Sequence, residues 1–335
     1  MSEVSPPSET FDSVTTPAFE RPPFWRRIFA VIIDGIVLGV GCSIVALFAS
    51  DWLSALGPWG RLFGGAIGVV YFGIAASSLC GGQTVGKRIL RIVVLRPDGT
   101  NLSIHAAFGR AAILMLPTAC NGLAVAMTSW IVPTIASIVV FGLGGSILYL
   151  FLCNRTTRQA THDLAAGSIV TRLQNGQPVP IRGTVSRLHF IILAVLLVIA
   201  AAAAGFGALT LRRKFDFDAL TRTQTDVASL TQTSNVQVFY GSTSQLPGSS
   251  NTWIRTSVMT YSPRPNPERL ASSIAAVVLR DVPTAKSRSA IVITLTTGYD
   301  VLFASGWRTE SWSRTPEEWQ GRIGNEKSLR RPNSR

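Results

Sequence analysis

The chain has 335 residues, of which 47% are hydrophobic and only 15% are charged, and its formal net charge at neutral pH is +13. Its mean hydropathy is positive, and long stretches carry almost no charge, which is typical of membrane proteins and excludes an ordinary soluble enzyme. The basic residues cluster in short segments beside the apolar stretches, where they orient membrane proteins. Nucleic-acid binding is therefore not expected.

Four apolar stretches are long enough to cross a bilayer as helices, since a crossing takes about 20 residues. The third of them, residues 106–153, is long enough for two crossings, which gives five helices. A disordered cytoplasmic tail, rich in Ser, Thr, Pro and Glu, is predicted before them over residues 1–23. Trp130 and Pro133 mark the turn between the third and fourth crossings. The predicted transmembrane helices cover residues 28–50, 62–80, 108–128, 132–153 and 189–211.

The distribution of arginine and lysine predicts the orientation of these helices. Basic residues precede the first helix and fill the segments between the second and third helices and between the fourth and fifth, including the linker 174–188, so these segments are expected to be cytoplasmic. Arg212, Arg213 and Lys214 also follow the fifth helix, so its orientation rests on the count of five crossings. The prediction is a multi-pass protein of the cell (inner) membrane, with a cytoplasmic N-terminus and an extracytoplasmic C-terminal domain.

Two ionisable residues lie in or beside the first apolar stretch, with Asp34 seven residues after Arg27. A carboxylate near a bilayer interior costs about 2.5 to 3.5 kcal/mol, so it needs a partner or a function. Seven residues separate the two side chains by about 10 Å along a helix, which is too far for an easy salt bridge. We expect Asp34 to meet a partner from another helix, for which Arg110 is one candidate, and Asp163 to lie within reach of Arg27 at the cytoplasmic surface.

The segments after the second and fourth helices carry no legible catalytic motif. Lys87 follows a glycine-rich segment but precedes Arg88, where a phosphate-binding loop needs Ser or Thr, so a tight helix exit with basic side chains reaching the interface is favoured. Residues 91–95 predict a strand of a small hairpin. His162 and Asp163 have no nucleophile in a suitable context, and the four cysteines show no metal spacing. We therefore expect no enzyme activity, metal or cofactor.

The chain carries three motifs in this order: Arg27 with Asp34, residues 82–88, and residues 162–167. Together they resemble the RDD family of prokaryotic integral membrane proteins over about residues 24–173. The family is named for one arginine and two aspartates, which would be Arg27, Asp34 and Asp163 here, while Ser168 stands where the family often has Thr. The resemblance implies a four-helix core, and it implies transport as one function, because some members are linked to sodium/proton antiport. The other motif residues are Gly82, Gln83, Thr84, Gly86, Lys87, His162 and Gly167.

The region after the fifth helix changes character, with intermittent apolar residues and nearly balanced charge. Residues 215–335 predict an extracytoplasmic α+β domain of strand, strand, helix, strand, strand, helix order, with a disordered tail. Trp307, Trp312 and Trp319 fit either core packing, which is favoured, or a ligand face. The fold class is thus an α-helical membrane bundle, with an RDD-like four-helix core and a fifth transmembrane helix, followed by a soluble α+β domain.

Two functions fit these features. In the first, the bundle is a membrane anchor, binding or assembly module whose outer domain recognises a protein or ligand, and Asp34 only fixes helix packing. In the second, the protein is a secondary transporter that couples a sodium-like monovalent cation to proton movement through Asp34. The lipid bilayer is a partner in both cases, and a homo-oligomer is compatible with either.

Overall fold

The computed structural model describes residues 23–122, 135–179, 183–214, 217–231, 236–245, 249–260 and 266–329. Most of the predicted N-terminal tail lies outside the described residues. The predicted turn at Trp130 and Pro133 and the end of the C-terminal tail lie outside them as well.

Three helical segments of the described chain are long and apolar enough to cross a membrane: Phe24–Ala55, Gly57–Ala76 and Ile135–Cys153. Many large side chains on the first of them are exposed, among them Leu47 and Phe48 at 79% and 87%, as expected where lipid replaces water. The bundle helices are α1 (Phe24–Ala55), α2 (Gly60–Ala76), α4 (Ile104–Cys120), α5 (Gly144–Cys153, after a π-helical segment Ile138–Leu143) and α7 (Arg187–Lys214). The third predicted crossing is shorter in the described residues than the 20 expected, at 17 residues.

Small residues let the bundle helices approach closely. A Cβ atom on Gly65 of α2 would lie 2.7 Å from the Cβ of Ala119 on α4, and Gly73 likewise faces the ring of Phe108. On the other side of the bundle, the Tyr149 hydroxyl of α5 lies 3.1 Å from Nδ1 of His189 on α7. The fifth predicted helix therefore packs against the fourth.

A small sheet covers the end of the bundle where α1 begins. It contains β1 (Ile92–Leu95), β2 (Ile169–Gln174) and β3 (Gln177–Pro178), and β1 pairs antiparallel with β2. The predicted strand at residues 91–95 is present, but the prediction of a local hairpin is wrong because its partner comes from after the fourth helix. Two short helices flank the sheet, α3 (Val85–Ile89) and α6 (Thr161–Ala165). Buried residues of the sheet pack on small residues of the helices: Ile92, Val94 and Val170 on Ala30, Ala76 and Ala107.

The C-terminal region forms a four-stranded sheet with helices on one face. Its strands occur in the spatial order β4-β5-β6-β7, and only the central β5–β6 pair is parallel. The predicted order of strands and helices matches these elements, with one further helix, α8, in front of them. The elements are α8 (Phe217–Thr231), β4 (Val236–Gln245), β5 (Ser249–Thr260), α9 (Pro267–Asp281), β6 (Ala290–Asp300), β7 (Ser305–Arg314) and α10 (Pro316–Leu329).

Alternating apolar residues explain the core of this domain. Ile254 and Val258 of β5 and Ile291 and Ile293 of β6 are fully or almost fully buried beneath the helices, as the period of two in a half-covered sheet requires. Trp319 is completely buried, and its Nε1–H donates to the Ile291 carbonyl oxygen at 3.0 Å. Trp319 is thus a core residue, Trp312 packs partly buried against the same core, and Trp307 is 39% exposed.

Candidate functional site

Asp163 is the centre of a buried charge cluster at the end of the bundle near the small sheet. Its Oδ2 accepts a hydrogen bond from Arg27 of α1 at 2.7 Å, and its Oδ1 accepts two from Arg110 of α4, at 2.6 and 3.0 Å. The backbone N–H of Ala160 also donates to Oδ2 at 3.2 Å. Asp163 is completely buried and both arginines are less than 10% exposed. One carboxylate therefore ties together α1, α4 and α6.

The electrostatics of this cluster keep Asp163 charged. Burial alone would raise the pKa of the Asp163 carboxyl, but its interactions with His162, Arg110 and Arg27 together outweigh burial and hold this pKa well below its usual range. His162 has its Nε2 3.5 Å from Asp163 Oδ1. Burial and the positive charges of the two arginines lower the pKa of His162 to about 3, against the opposing effect of Asp163. His162 is therefore uncharged at neutral pH, and the guanidinium groups neutralise Asp163.

Arg27 also connects α1 to α5 and to the segment after it. Its second terminal nitrogen donates to the carbonyl oxygen of Arg158, and its guanidinium lies over the ring of Phe151, 5.0 Å from the centroid. The guanidinium of Arg158 in turn covers the ring of Phe24 at 4.6 Å. Arg27 thus has a fixed position set by charge, hydrogen bonding and aromatic contact together.

Asp34 lies in a separate site, where its three hydrogen-bond donors are uncharged groups. Its Oδ1 accepts from the hydroxyl of Tyr71 on α2 at 2.8 Å and from the backbone N–H of Gly86 at 2.8 Å, while its Oδ2 accepts from the Thr84 hydroxyl at 2.6 Å. The prediction that Asp34 meets Arg110 is wrong. Arg110 is engaged by Asp163 instead, which enters the bundle end from α6 beside Arg27 rather than two turns further along α1.

The segment that follows α2 is shaped to reach Asp34. Thr84 caps α3 by accepting from the Lys87 backbone N–H at 3.3 Å. A Cβ atom on Gly86 would overlap the backbone carbonyl of Ala30, so only glycine lets α3 lie directly against α1. Gln83 donates its side-chain amide to the Ile92 carbonyl at 2.9 Å. The motif residues therefore position a helix start, and they do not surround a phosphate site.

Lys87 is buried, with 8% of its surface exposed, and lies close enough to Asp34 and Asp163 for both charges to act on it. This corrects the prediction that its side chain reaches the interface. Burial, followed by the positive charge of Arg110, lowers the pKa of Lys87 to about 7, although Asp34 and Asp163 partly oppose this shift. Gly167 has a positive φ of 56° just after α6, and its N–H donates to the Leu164 carbonyl. Gly167 therefore ends the helix that carries Asp163.

Comparison with known proteins finds a family match for the region of the chain that contains the charge cluster. Residues 21–167 match the RDD family. The resemblance predicted from three motifs is confirmed over these residues, which we call the RDD-like domain. An uncharacterized protein of Bacillus subtilis (strain 168), YckC, is 25% identical over 155 residues, which are 46% of this chain and 86% of that protein. No solved structure matches the chain.

The match makes the RDD-like domain a membrane domain, consistent with its long apolar helices. The structure places Arg27, Asp34 and Asp163, the residues singled out by the resemblance, at one end of the bundle but in two sites: Arg27 with Asp163, and Asp34 apart from them. The C-terminal α+β region lies outside the matched residues. A soluble domain is therefore attached to a membrane domain of the RDD type.

Sequence reasoning missed Tyr71 as a partner of Asp34. The signal was present, because Tyr71 is a hydroxyl-bearing residue in the apolar part of α2 closest to the basic segment. Asn154 was also missed. It is 1% exposed and donates to Thr157 Oγ1 at 2.8 Å and to the Gln159 carbonyl at 3.1 Å. Asn154 thereby shapes the loop that leads from α5 to Asp163.

Proposed function

We propose that the protein is a membrane anchor and assembly module, in which the RDD-like domain holds the α+β domain on the extracytoplasmic side for recognition of a protein or ligand. The observation that carries this proposal is a contact between the two domains. Asp300, at the end of β6, forms an ion pair with Arg61 at the start of α2, with 2.6 Å between Oδ2 and the guanidinium nitrogen. Arg61 also donates to the Thr118 carbonyl of α4 at 3.0 Å.

The position of this contact along the bundle supports the proposed sidedness. Val301 packs with Leu53 of α1, whereas Asp34 lies 19 residues earlier on the same helix. At 1.5 Å per residue these positions are about 28 Å apart, which is close to the hydrocarbon thickness of a bilayer. The Asp34 site and the Arg61–Asp300 ion pair therefore fit opposite membrane surfaces.

The contacts of the charged residues favour a packing role within the anchor. Asp34 is satisfied by three uncharged donors, and Asp163 is satisfied by two arginines. Side chains held in this way fix which helix faces meet, which apolar contacts in lipid do poorly. The transport hypothesis gains no support from these contacts, because a coupling carboxylate has to exchange its partners during each cycle.

Proton movement in proteoliposomes tests the proposal. Purified protein would be reconstituted with a pH-sensitive dye inside, and sodium, potassium or lithium would be added outside under an imposed proton gradient. We expect no cation-dependent proton flux from the well-folded protein. Asp34→Asn is expected to lower thermal stability, because it replaces a carboxylate oxygen by an amide donor opposite other donors. Asp98→Asn, at an exposed turn, is the matched control with little effect.

Two outcomes of the flux measurement would overturn the anchor proposal. Cation-dependent flux in the wild-type protein that Asp34→Asn abolishes without loss of fold would overturn the anchor proposal and establish ion coupling. Flux that survives the substitution would also overturn it, but would remove Asp34 from the mechanism.

A further inference from the structure

The turn between β6 and β7 lies inside the membrane bundle. Val301 is only 2% exposed and packs in one cluster with Ala46 and Leu53 of α1. On the α2 side, the turn's backbone comes so close that a Cβ atom on Gly60 or Gly64 would overlap the carbonyl oxygens of Asp300 and Val301. The turn therefore occupies a cleft between α1 and α2 that only glycines leave open.

Phe303 extends this contact deeper into the bundle. A Cβ atom on Gly68 would lie 3.1 Å from the tip of the Phe303 ring and 3.2 Å from the sulfur of Met115 on α4. Phe303 packs with a cluster that contains Leu38 and Phe72. The turn thus reaches from the start of α2 to the middle of the bundle and contacts three of its helices.

Polar backbone groups of the turn form hydrogen bonds within the turn, as an apolar environment requires. The Val301 N–H donates to the Ala304 carbonyl at 2.9 Å, and the Phe303 N–H donates to the Val301 carbonyl at 2.7 Å. The Leu302 N–H donates to the Asp300 carboxylate at 2.9 Å. Polar backbone groups inside a membrane must be satisfied within the protein. Leu302 has a φ of 66°, a left-handed conformation that is strained for leucine and needs support from its surroundings.

Asp34 lies directly beyond the turn. Leu38 is one helical turn from Asp34 on α1, and Phe72 is adjacent to Tyr71, whose hydroxyl binds Asp34. The side chain of Phe303 is therefore part of the apolar layer that separates the Arg61 end of the bundle from the Asp34 site.

We propose that residues 300–304 form a plug that closes the cleft between α1, α2 and α4, and that withdrawal of this plug opens the Asp34 site to water and small polar solutes from the side of the α+β domain. The proposal rests on the docked arrangement of the anchor module and adds control of access to it. The plug is the end of a two-stranded hairpin, so a movement of the α+β domain moves the plug with it.

Two features make withdrawal feasible. The Arg61–Asp300 ion pair at the rim is partly exposed, with side chains at 21% and 27%, and such pairs add little stability. Withdrawal also releases the strained conformation of Leu302. The contacts that hold the plug in place are therefore mainly the apolar ones of Val301 and Phe303.

The native thiol of Cys42 provides the test. Cys42 lies one helical turn from both Leu38 and Ala46, on the same side of α1 as these plug contacts. The full chain carrying Cys80→Ser, Cys120→Ser and Cys153→Ser would be placed in lipid nanodiscs, and its reaction with a water-soluble charged maleimide would be followed. Both membrane faces are accessible in nanodiscs, so the result does not depend on topology or on the flux measurement.

Val301→Asp places a charge in the apolar cleft and is expected to raise the labelling rate of Cys42 at least tenfold. Ser313→Asp adds the same charge to an exposed position of β7 and should leave the rate unchanged. Asp300→Asn weakens the rim without adding a charge and should give a smaller increase, which keeps the test informative if Val301→Asp fails to fold. If neither folded plug variant labels faster than Ser313→Asp, the plug does not control access and the proposal is wrong.

Discussion

Replacement of Asp163 by asparagine is the strongest test of the buried charge cluster. Asp163 accepts three guanidinium hydrogen bonds, one from Arg27 and two from Arg110. Asparagine has nearly the same shape but offers one acceptor oxygen and no charge, so at least one buried guanidinium loses its partner. Removal of one partner from a buried ion pair costs about 3–5 kcal/mol. Arg27→Gln leaves Asp163 paired with Arg110. It removes one charged hydrogen bond from Asp163, which corresponds to about 1.5–3 kcal/mol, together with the contacts of Arg27 with the Arg158 carbonyl and Phe151.

The free energy of unfolding would be measured by reversible denaturation in mixed micelles of a mild detergent and dodecyl sulfate. We expect the loss to be larger for Asp163→Asn than for Arg27→Gln. Asp226→Asn is the matched control, because Asp226 pairs with Arg280 where both side chains are well exposed. Exposed pairs contribute about 0–1 kcal/mol. A loss for Asp163→Asn no larger than for this control would refute the stabilising role of the cluster.

Because Asp163 also pairs with Arg110, reversing the charges of Arg27 and Asp163 should affect stability differently from the same change in an isolated ion pair. If Arg27 and Asp163 formed an isolated pair, reversing both charges would restore part of the stability that either single reversal loses. Asp163→Arg would instead place a cation against Arg110, which also bonds to Asp163. We therefore expect no rescue in the doubly reversed variant, and rescue would indicate that Arg110 does not pair with Asp163 in the membrane.

Two of the remaining predictions concern single residues, Lys87 and Gly86, and the third concerns the topology. Lys87 has a folded-state pKa of about 7, below the unfolded value of about 10.4; the unfolded chain therefore binds more protons between these values, and stability should rise with pH across this window by at most about 5 kcal/mol. Lys87→Met should flatten this rise in pH-dependent denaturation, and an unchanged slope would contradict the buried ammonium. Gly86→Ala should cost about 1–3 kcal/mol in the same assay because its Cβ overlaps Ala30, whereas Gly109→Ala, which has open space, should not destabilise. Protease added to intact spheroplasts should release the α+β domain near residue 215, and protection there with cleavage in inside-out vesicles would contradict the predicted topology.

The sequence predicted those parts of the structure that depend on local composition. Apolar length predicted the three described helices that are long and apolar enough to cross a membrane, and the alternating strands predicted the sheet of the C-terminal α+β domain. Arg27 and Asp163 could be expected to meet because both lie where a predicted helix ends at the same membrane surface. The partner of Asp34 could not be predicted in this way, because Tyr71, Thr84 and Gly86 reach it only after the segment that follows α2 turns back against α1.

Long-range contacts account for the other differences. The turn signal after residue 95 is real, since Asp98 accepts from the Thr100 N–H at 2.9 Å, but the strand before it pairs with residues 169–172. Turn chemistry is local, whereas strand pairing depends on which edge the folded chain brings near. Lys87 shows the same limit, because a basic residue beside a helix end usually reaches for water, whereas here α3 packs directly against α1 and Lys87 is only 8% exposed.

The glycines of α2 show how one sequence signal can serve two kinds of partner. Gly64 and Gly68 have the four-residue spacing of small residues that lets two membrane helices pack closely. In the structure Gly65 and Gly73 face α4, Gly64 faces the Val301 carbonyl, and Gly68 faces both the Phe303 ring and Met115 of α4. Small residues on a helix indicate only that something approaches its backbone. Here the element that approaches α2 is the β6–β7 turn of the α+β domain. Because the turn satisfies its own backbone polar groups by hydrogen bonds, it can pack inside the bundle where another helix would otherwise pack.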